Sequence, residues 1–144
     1  MAAKNVETFR TAHQAFNRRD MQTLRALLAD DFRYDDQARG ISFNRETWFD
    51  EFLTGWTTAF SDANVYNPTY IDAGDTVSAL FRGRGTNDGP LGSMPRSGRN
   101  LDLPFCEIMR FNAEGKIVSG ELFYDQLTLL SQMGHMAAPV GATV

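Results

Sequence analysis

Two carboxylates in this chain stand in rows of apolar side chains, where an acid must either find a partner or exchange a proton. Glu107 interrupts the series Leu101, Leu103, Phe105, Met109 and Phe111, which recurs at every second position. Residues at that spacing share one face of a strand, so the acid is expected to be buried with its neighbours. An unpaired buried carboxylate is costly enough to take up a proton or to bond a partner. Asp36 ends a shorter alternating row, after Phe32 and Tyr34, with Arg33 and Asp35 on the opposite face. An acid held in such a place is a candidate catalytic group rather than packing. A structural role stays open for each. Glu107 would then bond a neighbouring strand or a dimer partner, and Asp36 would begin the polar loop through Gln37, Ala38, Arg39 and Gly40.

The elements that must position these acids are helical in the first third and mostly extended afterwards. Val6, Phe9, His13 and Phe16 fall at helical spacing and predict a helix over residues 5–18 with one buried stripe. Asp20 reads as the N-cap of a short second helix carrying Leu24, Leu27 and Leu28. Asn44 reads as the cap of a third, whose residues Trp48, Phe49, Phe52, Leu53, Trp56, Ala59 and Phe60 make a wide apolar surface for packing on a sheet. A hairpin is expected from strands near 63–72 and 75–84 about a turn at Ala73-Gly74, followed by a Gly- and Pro-rich connection from Gly85 to Arg99 at a pocket mouth. The last strands, near 100–111 and 116–125, join through Asn112–Gly115. Setting Asn112 opposite Gly115 puts Glu107 opposite Gly120, with Val118, Leu122 and Tyr124 on the acid's side and empty space over Glu107. Asp125 then caps a short helix carrying Leu127, Leu130 and Met133, stopped by Gly134. The tail from 135 to 144 has no periodicity, which suits a mobile end or a segment packed on a partner.

Composition bounds the rest. The 144 residues fit one domain, residues 1–144, and the 42% hydrophobic and 22% charged content is that of an ordinary globular protein. A formal net charge of −4 without a cluster of Lys or Arg argues against nucleic-acid partners. No apolar run reaches membrane-spanning length, and the segment Met1–Arg10 lacks the apolar core of a signal peptide, so a cytoplasmic location without membrane association is the default expectation. Cys106 alternates out of phase with Glu107 and has no histidine beside it, which argues against a thiol nucleophile. Two histidines, His13 and His135, without clustered ligand spacing predict no metal site. No cofactor is expected. His13 on its apolar stripe is either a satisfied core histidine or a proton shuttle, and the stripe of Trp48, Phe52 and Trp56 reads first as helix-on-sheet packing.

The order of helices before a curved antiparallel sheet, with Asn17-Arg18-Arg19-Asp20, Leu28-Ala29-Asp30-Asp31-Phe32, Gly98-Arg99, Arg110 to Val118 and Tyr124-Asp125-Gln126-Leu127, resembles the nuclear transport factor two-like superfamily over nearly the whole chain. Within it these pieces look like the SnoaL-like polyketide cyclase branch, with ketosteroid isomerase as a cousin. The resemblance implies an α+β, cone-shaped sheet enclosing a pocket with the N-terminal helices, and assembly as a homodimer. It also implies that Asp36 is the catalytic base and Glu107 the neutral oxyanion-hole acid, matching the two residues that alternation selects. The isomerase's oxyanion-hole tyrosine on the first helix corresponds to Ala12, so Tyr34, Tyr124 or His13 would have to supply that donor. The cyclases' aspartate on the final strand corresponds to Leu122. Limonene epoxide hydrolase, another cousin, has an Arg-x-Asp pair where this chain has Arg82-Gly83-Arg84, and its second aspartate corresponds to Asp125.

The expected function is cofactor-independent proton transfer on a small apolar carbonyl compound, as in a cyclase or isomerase. Asp36 and Glu107 would do the chemistry, and His13, Tyr34, Trp56, Phe105, Leu122, Tyr124 and Asp125 would contact the ligand. A non-catalytic binding module and a lyase or hydrolase using the same carboxylates are the alternatives. Pro104, Cys106, Ile108 and Phe123, out of phase with the pocket row, are the expected dimer face.

Overall fold

Alternation along β5 (Asn100–Phe111) organises the molecule. In the computed structural model, which describes residues 2–137, every second residue from Leu101 to Phe111 is buried and the intervening ones are not. β5 lies inside a curved, unclosed six-stranded sheet of order β2-β1-β6-β5-β4-β3, made by β1 (Leu28–Asp36), β2 (Ile41–Asn44), β3 (Asn64–Asp72), β4 (Thr76–Thr86) and β6 (Ile117–Phe123). All neighbours pair antiparallel except β1 and β6, which run parallel. The parallel pair needs a long crossover, and the whole middle of the chain supplies it.

Helix α1 (Ala2–Asn17) packs on β3 and β4 through Phe9, Ala12 and His13, and Asn5 Nδ2 donates to the Gly74 carbonyl at 2.9 Å. Helix α2 (Met21–Ala26) is capped by Asp20, whose Oδ1 accepts from Thr23 N at 3.1 Å. Leu28 does not continue this helix. It opens β1, because its side chain is buried there at 4% exposure. Helix α3 (Arg45–Thr47) starts at a capping box between Asn44 and Thr47, widens into a π-helical segment (Trp48–Leu53) and returns to α4 (Thr54–Ala59). The wider turn lets Trp48, Phe49, Phe52 and Leu53 all face inward, and Thr54 Oγ1 donates to the Phe49 carbonyl at 2.8 Å. β2 has no signal in the sequence: its four residues form a strand because Arg33–Asp36 offer a partner.

The connection after β4 is pinned by Asn87, which is fully buried. Its Nδ2 donates to the carbonyls of Ala59 and Gly89, both at 3.0 Å, while Oδ1 accepts from Ser97 N at 2.7 Å. Helix α5 (Gln126–Gln132) is capped by Asp125 as expected, but it buries Leu129 and Met133 and leaves Leu127 exposed. The part of the expected tail beyond residue 137 lies outside the described residues.

The register of the last hairpin departs from expectation by two residues. Asn112 Oδ1 caps a longer turn, accepting from Glu114 N and Lys116 N, each at 3.0 Å, and an irregularity between Arg110 and Phe111 follows. Glu107 therefore faces Leu122, and Gly120 faces Met109. A two-residue shift preserves the face of Leu122, but beyond the irregularity Ile117 takes the buried position expected for Val118. The space over Gly120 is filled by Met109 and by the ring of Tyr34, 2.8 Å from where a Cβ would stand. Gly120→Ala is expected to cost about 1–3 kcal/mol of stability by displacing that ring, read as a lower midpoint in urea unfolding.

Candidate active site

Phe105 and Met109 share the concave face of β5 with Glu107 and carry its carboxylate inward, where the residue is 7% exposed. It reaches a cavity of about 100 Å³ whose apolar walls include Trp48, Phe52, Trp56, Phe81, Phe105 and Leu122. His13 and Tyr34 reach the same cavity. α1 supplies His13 because Phe9 and Ala12 turn that face of the helix inward. β1 supplies Tyr34 because Phe32, Tyr34 and Asp36 form its buried row.

Both oxygens of Glu107 are engaged. The Tyr34 hydroxyl donates to Oε2, and His13 Nε2 lies 2.8 Å from Oε1. On the far side of the imidazole, Nδ1 lies 2.8 Å from the Tyr70 hydroxyl. Four side chains from α1, β1, β3 and β5 thus form one line. Oε1 and Nε2 must share a proton, either with Nε2–H donating to a carboxylate or with a carboxyl O–H donating to a bare Nε2. Burial, and then the neighbouring Glu107 carboxylate, push the Tyr34 phenol well above its ordinary range. Burial pushes Tyr70 up to about 12, opposed by the Arg10 cation. Both phenols therefore keep their protons at neutral pH and remain able to donate.

Asp36 occupies a different environment. It is fully buried. Its Oδ2 accepts from Arg39 Nε at 2.7 Å and from the Tyr124 hydroxyl at 3.0 Å, and its Oδ1 accepts from Arg39 N at 3.2 Å. Burial, then the Asp36 charge, raise the Tyr124 phenol. Arg39 and Tyr124 line a second, more polar cavity of about 390 Å³, together with Gln126 and the Leu91–Met94 stretch. The two cavities meet at Phe52 and Trp56.

Of the expected ligand contacts, His13, Tyr34, Trp56, Phe105 and Leu122 line the inner cavity and Tyr124 the outer one. Asp125 lines neither. It is exposed, and its oxygens accept from Leu127 N at 3.1 Å and Thr128 Oγ1 at 2.6 Å, so its side chain is spent on the cap of α5. The Trp48, Phe52 and Trp56 stripe both packs on the sheet and walls the cavity. Tyr70 escaped the sequence reading because nothing along β3 marks it; only the crossing of α1 over β3 brings it to His13. Among the described residues, no group of three or more His, Cys, Asp or Glu side chains could hold a metal ion, and no helix is long and apolar enough to cross a membrane.

Helices packed on a curved mixed sheet around an apolar cavity define the fold, and the comparisons agree with that fold. The profile of the SnoaL-like polyketide cyclases matches residues 7–133, and the chain belongs to that family. Among solved structures it is similar to AclR of Streptomyces galilaeus, described as a candidate hydroxylase, with TM-score 0.84 and 17% identity over 99% of this chain and 88% of that one. It is similar to IdmH of Streptomyces antibioticus, described as a candidate polyketide cyclase, with TM-score 0.77 and 26% identity over 90% and 98% of the two chains. A candidate SnoaL-like polyketide cyclase from Jannaschia sp. CCS1 gives TM-score 0.82 and 23% identity over 96% and 95%. Comparison with curated protein sequences gives no match.

The buried Asp36–Arg39 pair makes a direct prediction. Arg39→Ala leaves the Asp36 carboxylate without its cation and is expected to lower stability at neutral pH by about 2–3 kcal/mol in urea unfolding, less than breaking a fully buried pair because the Arg39 side chain is 35% exposed and Tyr124 still donates.

Proposed function

We propose that this protein is a cofactor-independent proton-transfer enzyme of the cyclase or isomerase type, acting on a small apolar molecule that carries a carbonyl group. The observation that carries this reading is the Glu107 carboxylate, held between His13 and Tyr34 at the end of an apolar cavity. Family membership supports it.

In this reading ionised Glu107 takes a proton from the carbon beside the carbonyl. The C–H bond breaks, a carboxyl O–H forms, and the charge moves to the enolate oxygen. Neutralising Glu107 weakens its claim on the Tyr34 hydroxyl, which turns to donate to that oxygen as the negative charge appears there. Tyr34 would thus fill the donor position left by Ala12. The base role goes to Glu107 rather than Asp36, because Glu107 lines the inner cavity whereas Asp36 lines neither cavity. Asp36 instead anchors Arg39 and Tyr124, which line the outer cavity. The inner cavity suits a single ring, about the scale of an apolar cavity that takes benzene, and a longer ligand would extend past Phe52 and Trp56 into the outer cavity.

Deuterium exchange tests the chemistry without a known substrate. Small cyclic and aromatic ketones that raise the melting temperature are incubated with the protein in D₂O, and loss of the α-proton NMR signal is followed. Wild type is expected to catalyse the exchange, and Glu107→Gln to slow it by about 10²–10⁴-fold while still binding. Exchange retained in Glu107→Gln but lost in Asp36→Asn would return the base role to Asp36. Binding without exchange in wild type would make the protein a binding module.

We propose a second copy of the chain as the occupant of the outer sheet face. Leu80, Cys106 and Phe123 stand abreast across β4, β5 and β6, with Ile108 and Ile71 in the next row. The patch is bordered by charges of both signs already held in ion pairs, Arg82 and Arg84 with Asp102 and Arg110 with Glu121, so its apolar centre suits a copy of itself better than an ionic partner. Light scattering at micromolar concentration is expected to give a dimer mass for wild type and a monomer mass for Phe123→Glu. A monomeric wild type would count against the interface.

A further inference from the structure

The His13 imidazole joins two titratable groups on opposite sides, and only one of them belongs to the cavity. Nε2 meets Glu107 inside, and Nδ1 meets Tyr70, which is not among the lining residues. Tyr70 is half-buried on β3, an edge strand of the sheet, with α1 crossing over it. A histidine needed only for packing could place one nitrogen on a backbone carbonyl. Here both nitrogens end on groups that gain and lose protons.

We propose that Glu107, His13 and Tyr70 form a proton relay through the wall of the cavity, with Tyr70 as its solvent end, so that the carboxylate is loaded and unloaded while ligand fills the cavity. The proposal rests on the proton-transfer reading above and assigns a positioning role to Tyr70. Loading starts from ionised Glu107, with Nε2–H donating to it and the Tyr70 hydroxyl donating to Nδ1. Tyr70 passes its proton to Nδ1 and takes one from water, while Nε2 passes its own to Glu107. The result is a neutral carboxyl donating to bare Nε2, with Nδ1–H donating to the Tyr70 oxygen. One proton enters at Tyr70 and one arrives at Glu107, and the imidazole only changes tautomer. Unloading is the reverse.

Polar and charged groups flank both ends of the line, and aromatic rings flank its middle. The Tyr34 hydroxyl donates to the other Glu107 oxygen. Outside, the Arg10 guanidinium lies 4.9 Å from the Tyr70 ring centre and is paired with Glu7 at 3.4 Å. Phe9 and Phe81 flank the His13 ring at 4.7 and 5.0 Å between centroids, leaving its edges to the two hydrogen bonds.

The test needs no ligand. With His135→Gln as background, ¹⁵N-labelled His13 is the sole histidine and NMR reports which nitrogen carries the proton. As pH rises, His13 is expected to switch from the Nδ1–H to the Nε2–H form as Glu107 ionises. Solvent exchange of the His13 ring N–H proton, read from the same spectra, is expected to be at least tenfold slower in Tyr70→Phe. Tyr70→Gln should slow it too, because its amide can bond Nδ1 in either tautomer but cannot relay a proton, which separates a relay from a merely structural hydrogen bond. An unchanged exchange rate in either variant, or a wild-type His13 that titrates through imidazolium, would overturn the proposal. In the ketone assay, Tyr70→Phe should bind ligand as wild type does but incorporate solvent deuterium at least tenfold more slowly. If no ketone exchanges in wild type, the proposed activity fails while the His13 proton-exchange measurement still judges the relay.

Discussion

The hydrogen-bonding demand of one buried carboxylate fixes the relation of three elements. Glu107 arrives on β5 among apolar neighbours, in a place where an unpartnered charge is not sustainable. Its partners come from α1 and β1, far away in the chain, so the bonds form only when α1 lies across the sheet and β1 has docked beside β6. Hydrogen bonds to a charged group contribute about 1.5–3 kcal/mol each, and leaving the acceptor bare costs at least as much. The polar end of the cavity is therefore also a lock on the tertiary arrangement.

The apolar remainder of the cavity answers to packing. The π-helical turn from Trp48 to Leu53 brings four large side chains inward, where a regular helix would turn part of that set away. Tyr34 sits against Trp48 and Phe52, with ring centroids 5.4 and 4.8 Å apart, so the ring that carries the donor to Glu107 is held from the side by the same aromatics that wall the cavity. Gly120 completes this arrangement by leaving room on β6 for the Tyr34 ring. Chemistry at the acid and shape at the wall thus share residues, and the second acid keeps apart from both. Asp36 spends its charge on Arg39 and Tyr124, two residues that line the outer cavity.

The sequence by itself determined that Glu107 and Asp36 would be buried, that His13 would face inward from α1, and that Asp20, Asn44 and Asp125 would cap helices. It did so because burial periodicity and capping are local: two-residue alternation, helical spacing and a side chain reaching two or three residues ahead need no knowledge of the rest of the fold. The fold class was legible for the same reason, through the order of helical and alternating segments. What only the tertiary structure decided is which groups meet. The hairpin register moved by two residues because the turn at Asn112 is longer than its shortest closure, β2 exists only because β1 has a free edge to pair with, and Tyr70 becomes a partner of His13 only where α1 crosses β3. Partnership between residues separated by 57 or 94 positions depends on the relative placement of whole elements, and no local period in the chain encodes that distance.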